Sequence, residues 1–200
     1  MHKRATLGTV FIITLLSAAS LPTAGAPRVA YIALIIDDLG NNPVTDSRAA
    51  RLPGPVACAV LPHTAHGARI ANAAFELNKE VLLHLPMESL NDHEPGPGTL
   101  DTSMFEREFA KMLDYDLASV PHVVGINNHM GSRLTADAGY MQALMRDIHK
   151  RGSLFFIDSR TNPESVAAST AQGVGVPALS RDVFLDNEPN AAAIEQQMKT

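Results

Sequence analysis

Two adjacent carboxylates, Asp37 and Asp38, close the apolar run "YIALIIDDLGNN" at residues 31–42. Like charges side by side at the end of a buried strand need compensation, and a metal ion, a basic side chain or open solvent can supply it. Further along, His84 lies in "EVLLHLPM", Asn127, Asn128 and His129 lie in "HVVGINNHMG", and Asp158 lies in "SLFFIDS". Asp, His and His suit Zn²⁺ or a similar divalent ion, and three protein ligands with one open position describe a catalytic rather than a structural site. Each residue also has a plainer reading. Asp37 and Asp38 can cap a helix or sit in a solvated turn before "LGNNP", and His84 can be a core histidine bonded to backbone. For His129 the polar, Gly-rich surroundings weigh toward a ligand.

His63 and His66, in "PHTAH", form a rival pair, because residues three apart share a helix face. Nothing acidic or sulfur-bearing accompanies them in the sequence, so His66, which opens a helix, is expected at the rim as a substrate contact. His2 falls in the leader, and His93, His122 and His149 read as surface or loop residues. No nucleophile elbow, phosphate loop or dinucleotide fingerprint is present, and Ser132 after Gly131 forms no recognised nucleophile motif. Cys58, the only cysteine, lies in the apolar run "PVACAVLP" and reads as a small buried hydrophobe with no disulfide partner.

Groups this far apart in sequence can meet only if the fold gathers strand ends. Apolar β-type runs alternate with helical stretches: residues 29–38, 55–62, 80–87, 122–131, 153–159 and 176–186 read as strands. Between them, Ile70, Ala74 and Leu77 share one helix face, as do Phe105, Phe109, Met112 and Leu113, and then Met141, Leu144, Met145 and Ile148. Ser103 with Glu106 reads as a capping box, and Gly152 as the stop of the third helix. Nearly continuous hydrophobicity in the strands implies burial on both faces, hence a parallel sheet or barrel wrapped by helices. In such folds function gathers beyond the carboxyl ends of the strands, where the polar residues above all lie. The Gly/Pro-rich stretch 89–103 falls where loops build a cleft.

With 200 residues and 46% hydrophobic content, one domain with a substantial core is expected. The net charge of -5 carries no long like-charge run, so neither a nucleic-acid surface nor a polybasic membrane patch is implied. Residues 1–26 combine Lys3 and Arg4, an apolar stretch from Leu7 to Leu21 and small residues, the layout of a signal peptide, with an uncleaved anchor as the alternative. The tail opens like a helix capped by Asn190 and then stops without a C-terminal signal, so the domain at 27–200 is expected to be truncated.

The ordered set "IALIIDDLG", "EVLLHLPME", "GINNHMGSRLT" and "FFIDSRT" resembles the divergent polysaccharide deacetylase family of bacterial envelope proteins, a branch distantly similar to NodB-type carbohydrate esterases. The resemblance runs from about residue 28 to the end. It implies a distorted, here incomplete, (β/α) barrel, a divalent metal such as Zn²⁺, and export to the periplasm or cell surface. Asp37 then matches the general base, Asp38 the neighbouring metal ligand, and His84 the first metal histidine. The usual second histidine, four residues on, is replaced by Glu88, which leaves His129 as the third ligand. His66, Glu88, Asn128, Arg133 and Asp158 become substrate-contacting or orienting groups, with Arg133 able to hold a carboxylate such as Asp37. The family's closing strand and its Gly-His-Pro motif, a source of a general acid, do not occur in these 200 residues. The implied activity is removal of acetyl groups from an N-acetylated glycan, without membrane insertion once the signal is cleaved. The alternative is an envelope protein that holds glycan or a protein partner in the same cleft without catalysis. A two-metal phosphoesterase would need more ligands than these.

Overall fold

The computed structural model describes residues 31–91 and 93–199. The leader expected at residues 1–26 therefore lies outside the described residues. Contacts gather Ala33–Thr200 into one compact unit. Six parallel strands cross a single sheet in chain order: β1 (Leu34–Leu39), β2 (Val56–Val60), β3 (Val81–Met87), β4 (Val123–Met130), β5 (Phe155–Asp158) and β6 (Ala178–Ser180). With helices α1 (Pro43–Ala50), α2 (Gly67–Glu76), α3 (Glu106–Ser119), α4 (Ala138–Lys150), α5 (Ala167–Gly173) and α6 (Ala191–Gln197), the sheet forms a curled half-barrel of the α/β class, as the incomplete-barrel expectation required.

The period-two alternation of the strands sorts their residues between two environments. Cys58, Val60, Leu83, Leu85, Ile126 and Phe156 join Ile70 and Ala74 of α2, Phe109 and Leu113 of α3, and Leu144 and Ile148 of α4 in one core. The intervening Ile35, Ala57, Leu82, Ile157 and Leu179 line an apolar cavity of about 300 Å³ on the other face. Every residue of β3 is buried, which is why its sequence shows no polar alternation apart from His84.

Several boundaries differ from the expected ones for local reasons. Helix α1 carries no apolar stripe, yet it forms because Asn42 Oδ1 accepts the Val44 and Thr45 N–H groups (3.1 and 3.3 Å) and Pro43 occupies the first turn. The cap expected at Ser103 and Glu106 sits two residues later. Asp101 takes both the amide and the hydroxyl of Ser103, and Glu108 accepts the Phe105 N–H at 2.7 Å. Phe105 and Leu77 consequently fall at the ends of their helices, where they are exposed rather than part of the buried stripes. The last strand covers Ala178–Ser180 instead of residues 176–186. The tail helix begins as expected, with Asn190 Oδ1 accepting the Ala193 N–H at 2.9 Å.

Candidate metal centre

Alternation should send Asp37 and Asp38 to opposite faces of β1. The backbone prevents this: the β1–β2 register breaks between Ile36 and Leu39, and Asp38 takes a left-handed conformation with φ 63°. Aspartate is one of the few side chains that tolerate this region. The turn beyond is clamped by buried Asp46, whose Oδ2 accepts the Gly40 and Asn42 N–H groups at 2.8 and 3.1 Å. Both carboxylates thereby face one place.

That place is completed by β3 and β4, whose register pairs His84 with Asn127 and Pro86 with His129. Asn127 and His129, two residues apart, project on the same face as His84. The resulting triangle is small. Asp38 Oδ1 lies 3.1 Å from His84 Nε2 and 2.9 Å from His129 Nδ1, and the two imidazole nitrogens are 3.1 Å apart. Donors of a tetrahedral centre with bonds of about 2.0 Å stand roughly 3.3 Å apart, so the three atoms need only slight expansion to hold an ion. Among the described residues they are the one cluster of three such groups.

Hydrogen bonding sets the chemistry of the triangle. His84 Nδ1 meets Asn127 Oδ1 at 2.9 Å, which requires a proton on Nδ1 and leaves Nε2 with its lone pair toward Asp38. A lone pair facing a carboxylate oxygen is repulsive unless a proton or a cation lies between them. The same conflict appears in the ionisation: burial disfavours a charged His84, but the bond to Asp38 and the nearby Asp37 charge outweigh it and raise the imidazole above its ordinary value. Bonds from His129 and His84 hold the Asp38 carboxyl far below the usual carboxylate range, against the effect of its own burial. The donor set thus fits a divalent cation of the zinc type, and Asp38 remains well exposed on the side from which a substrate would come.

Asp37 stands beside the triangle, outside it. Its Oδ1 accepts the Asn127 Nδ2–H at 2.8 Å and lies 3.8 Å from His84 Nδ1, and among the described residues no donor occupies Oδ2. The remaining expected residues take other positions. Arg133 pairs with Glu88 (Nε to Oε1, 3.0 Å) rather than with Asp37, while Glu88 also accepts from the Thr102 amide and hydroxyl at 2.7 and 2.6 Å. Together they pin the 89–103 loop to the turn after β4. Asn128 points away from the triangle: its Oδ1 accepts the Ser159 N–H at 2.8 Å and its Nδ2 donates to the Met130 carbonyl. Asp158 is buried and holds the Arg160 amide and the Ser165 hydroxyl, both at 2.8 Å. His66 precedes α2 without a side-chain cap, its amide donating to the Gly40 carbonyl. His63 is bonded to Asp116 at 2.7 Å.

Two residues near the triangle have roles that the sequence reading did not assign. Asn127 carried the signal, since period two from His129 puts it inward and its neighbour outward. Arg181 carried none, because the chain leaves β6 irregularly. Its guanidinium donates to the Ser159 and Arg160 carbonyls (2.6 and 3.0 Å) and stacks 3.4 Å above Phe184. Burial and neighbouring Arg160 lower its pKa, with Asp158 and Asp37 opposing, so it shares the electrostatic field of Asp37.

The sequence model of the divergent polysaccharide deacetylase family matches residues 34–200. The chain is 37% identical over 183 residues to the uncharacterized protein YibQ of Escherichia coli K12, covering 91% of this chain and 57% of that one. It is 31% identical over 168 residues to an uncharacterized protein of Haemophilus influenzae Rd, covering 84% and 60%. The chain therefore spans less than two thirds of the length of these relatives. The crystal structure of uncharacterized protein ATU2773 from Agrobacterium tumefaciens C58 is similar over 84% of this chain and 69% of that one, with TM-score 0.79 and 27% identity.

Proposed function

The chain belongs to the divergent polysaccharide deacetylase family, and from that premise we propose that it is a metal-dependent hydrolase that removes acetyl groups from N-acetylated amino sugars of an envelope polysaccharide. The observation that carries this reading is the Asp38–His84–His129 triangle, with sides of 2.9–3.1 Å, standing beside a second carboxylate. A divalent cation held there, with zinc the best match to the donors, supplies Lewis acidity toward a water molecule and the acyl oxygen.

The chain's own residues divide the remaining work. Asp37 accepts a hydrogen bond at Oδ1 and keeps Oδ2 for the proton of the attacking water, which makes it the general base. The half-open rim formed by Glu88, Thr102 and Arg133 borders the approach and offers paired charges and a hydroxyl to sugar oxygens. The proton that the departing amine requires comes from a group that these residues do not assign. As part of the same proposal the protein acts in the periplasm or is otherwise exported, a reading supported by the signal-like composition of residues 1–26.

The test is acetate release from N-acetylated glycan oligomers by the full reading frame loaded with Zn²⁺, beside its Asp37→Asn variant. Turnover that falls by at least about 10²-fold in the variant while bound zinc stays stoichiometric supports the reading. Unchanged turnover removes Asp37 as base. Glycan binding without any acetate release by the zinc-loaded protein replaces the hydrolase with a non-catalytic glycan-binding protein on the same fold.

A further inference from the structure

We infer that Asn127 is a positioning residue that couples the metal ligand His84 to the base Asp37, so that the readiness of one enforces the readiness of the other. The inference rests on the hydrolase reading above for the role of Asp37, and on geometry alone for that of His84. Asn127 is almost wholly buried, so its amide must satisfy both ends within the protein. One end is Asp37 Oδ1, 2.8 Å from Nδ2, and the other is His84 Nδ1, 2.9 Å from Oδ1.

The order of the two ends is dictated chemically. An ionised carboxylate only accepts, so it must face the amide NH₂, and the amide oxygen is thereby committed to His84. That oxygen only accepts as well, so His84 must carry its proton on Nδ1. The lone pair is then on Nε2, the atom 3.1 Å from Asp38 Oδ1 in the ligand triangle. A charged Asp37 thus selects the metal-binding tautomer of His84 through one side chain. Reversing the amide would set its oxygen against the Asp37 carboxylate and its NH₂ against a histidine proton or lone pair, and would turn the wrong nitrogen into the acceptor. Orienting partners of this kind typically change metal affinity by about 10–100-fold when removed.

Two substitutions separate the ends. Asn127→Leu keeps the approximate volume and loses both bonds. Asn127→Asp keeps an acceptor for the His84 Nδ1–H but replaces the donor to Asp37 with a second carboxylate. Three readouts on the full reading frame apply: imidazole ¹⁵N shifts of the metal-free protein, recorded at a pH high enough that the His84 ring is neutral, Zn²⁺ affinity by competition with a chromophoric chelator, and kcat and KM for acetate release. The wild type is expected to show His84 protonated at Nδ1. Asn127→Leu is expected to populate both tautomers, bind zinc about 10–100-fold more weakly and lose turnover. Asn127→Asp is expected to bind zinc within about threefold of the wild type while kcat falls by at least about 10²-fold at similar KM. A purely structural asparagine would give two variants that weaken metal and turnover in parallel with their loss of thermal stability.

The inference is overturned by a neutral wild-type His84 that carries its single proton on Nε2, by wild-type zinc affinity in Asn127→Leu, or by zinc loss in Asn127→Asp equal to that in Asn127→Leu. Failure of the hydrolase reading looks different. If the zinc-loaded wild type releases no acetate, that reading falls, while the tautomer and the order of zinc affinities still decide the part played by Asn127.

Discussion

At the scale of single residues, the site depends on atoms whose partners are too close to be replaced. Asp38→Asn, His84→Ala and His129→Ala each remove one corner of the triangle, and each is expected to weaken Zn²⁺ binding by at least about 100-fold in a chelator competition titration. Away from the site, Gly98 has φ 82°, and a Cβ there would run into the buried Asp116 carboxylate. Gly98→Ala should therefore cost about 2 kcal/mol in urea unfolding, from strain and overpacking together. The ligands were readable because Asp and His are rare within such apolar runs. The choice between Asn127 and Asn128 was harder, since it depends on which face of β4 looks inward, and only the His84–Asn127 register settles that. Arg133 likewise had two carboxylates within imaginable reach, and the loop that carries Thr102 brings Glu88 to it instead of Asp37.

Elements show how local chemistry overrides pattern. The long strands and the striped helices α2, α3 and α4 were legible from periodicity, whereas α1 and α5 were not, being short and without an apolar stripe. Residues 181–186 read as strand by composition, yet Arg181 folds back over the β5–α5 segment and ends the pairing. Between elements, His63 in the turn after β2 is bonded to Asp116 on α3 and stacked on Tyr115, and Asp116 Oδ2 is buried with no partner among the described residues. Burial pushes the Asp116 carboxyl up to about 8 and pushes His63 down. The sign follows from proton counts. Folded Asp116 keeps a proton that the unfolded chain releases near pH 4, so its contribution is complete below that and is lost as pH rises toward about 8. His63 opposes this only below about pH 6.5, where the unfolded chain binds the proton that the folded one refuses. Between pH 6.5 and 8 the pair should therefore lose stability at up to about 1.4 kcal/mol per pH unit. Asp116→Asn should flatten that slope in denaturant melts, and an unchanged slope would remove the assignment.

For the whole unit, the triangle spans residues 38 to 129 and joins β1 to β3 and β4 across the intervening β2. An ion there acts as a cross-link present only in the folded state. Zinc at about 100 times its dissociation constant should add roughly 2.7 kcal/mol, raising the melting temperature by about 5–10 °C, and a chelator should reverse the shift. Absence of any shift in the wild type, or an equal shift in His129→Ala, would disprove the ion's structural role. The α/β class and the parallel strand arrangement were visible in the alternation of runs, because strands buried on both faces leave an unbroken apolar signature. The curl of the sheet was not visible in that pattern, since curvature is a property of strand twist and packing summed over all six strands.

A sheet whose spatial order copies its chain order also has a direction in time. During synthesis each strand can dock on the neighbour made just before it, without waiting for a distant partner. The ligands then emerge singly: the aspartate first, one imidazole 46 residues later, and the amide and last imidazole only with β4. A nascent chain stopped before β4 offers a cation two weak handholds, so tight loading is reserved for a polypeptide that has already built most of its sheet.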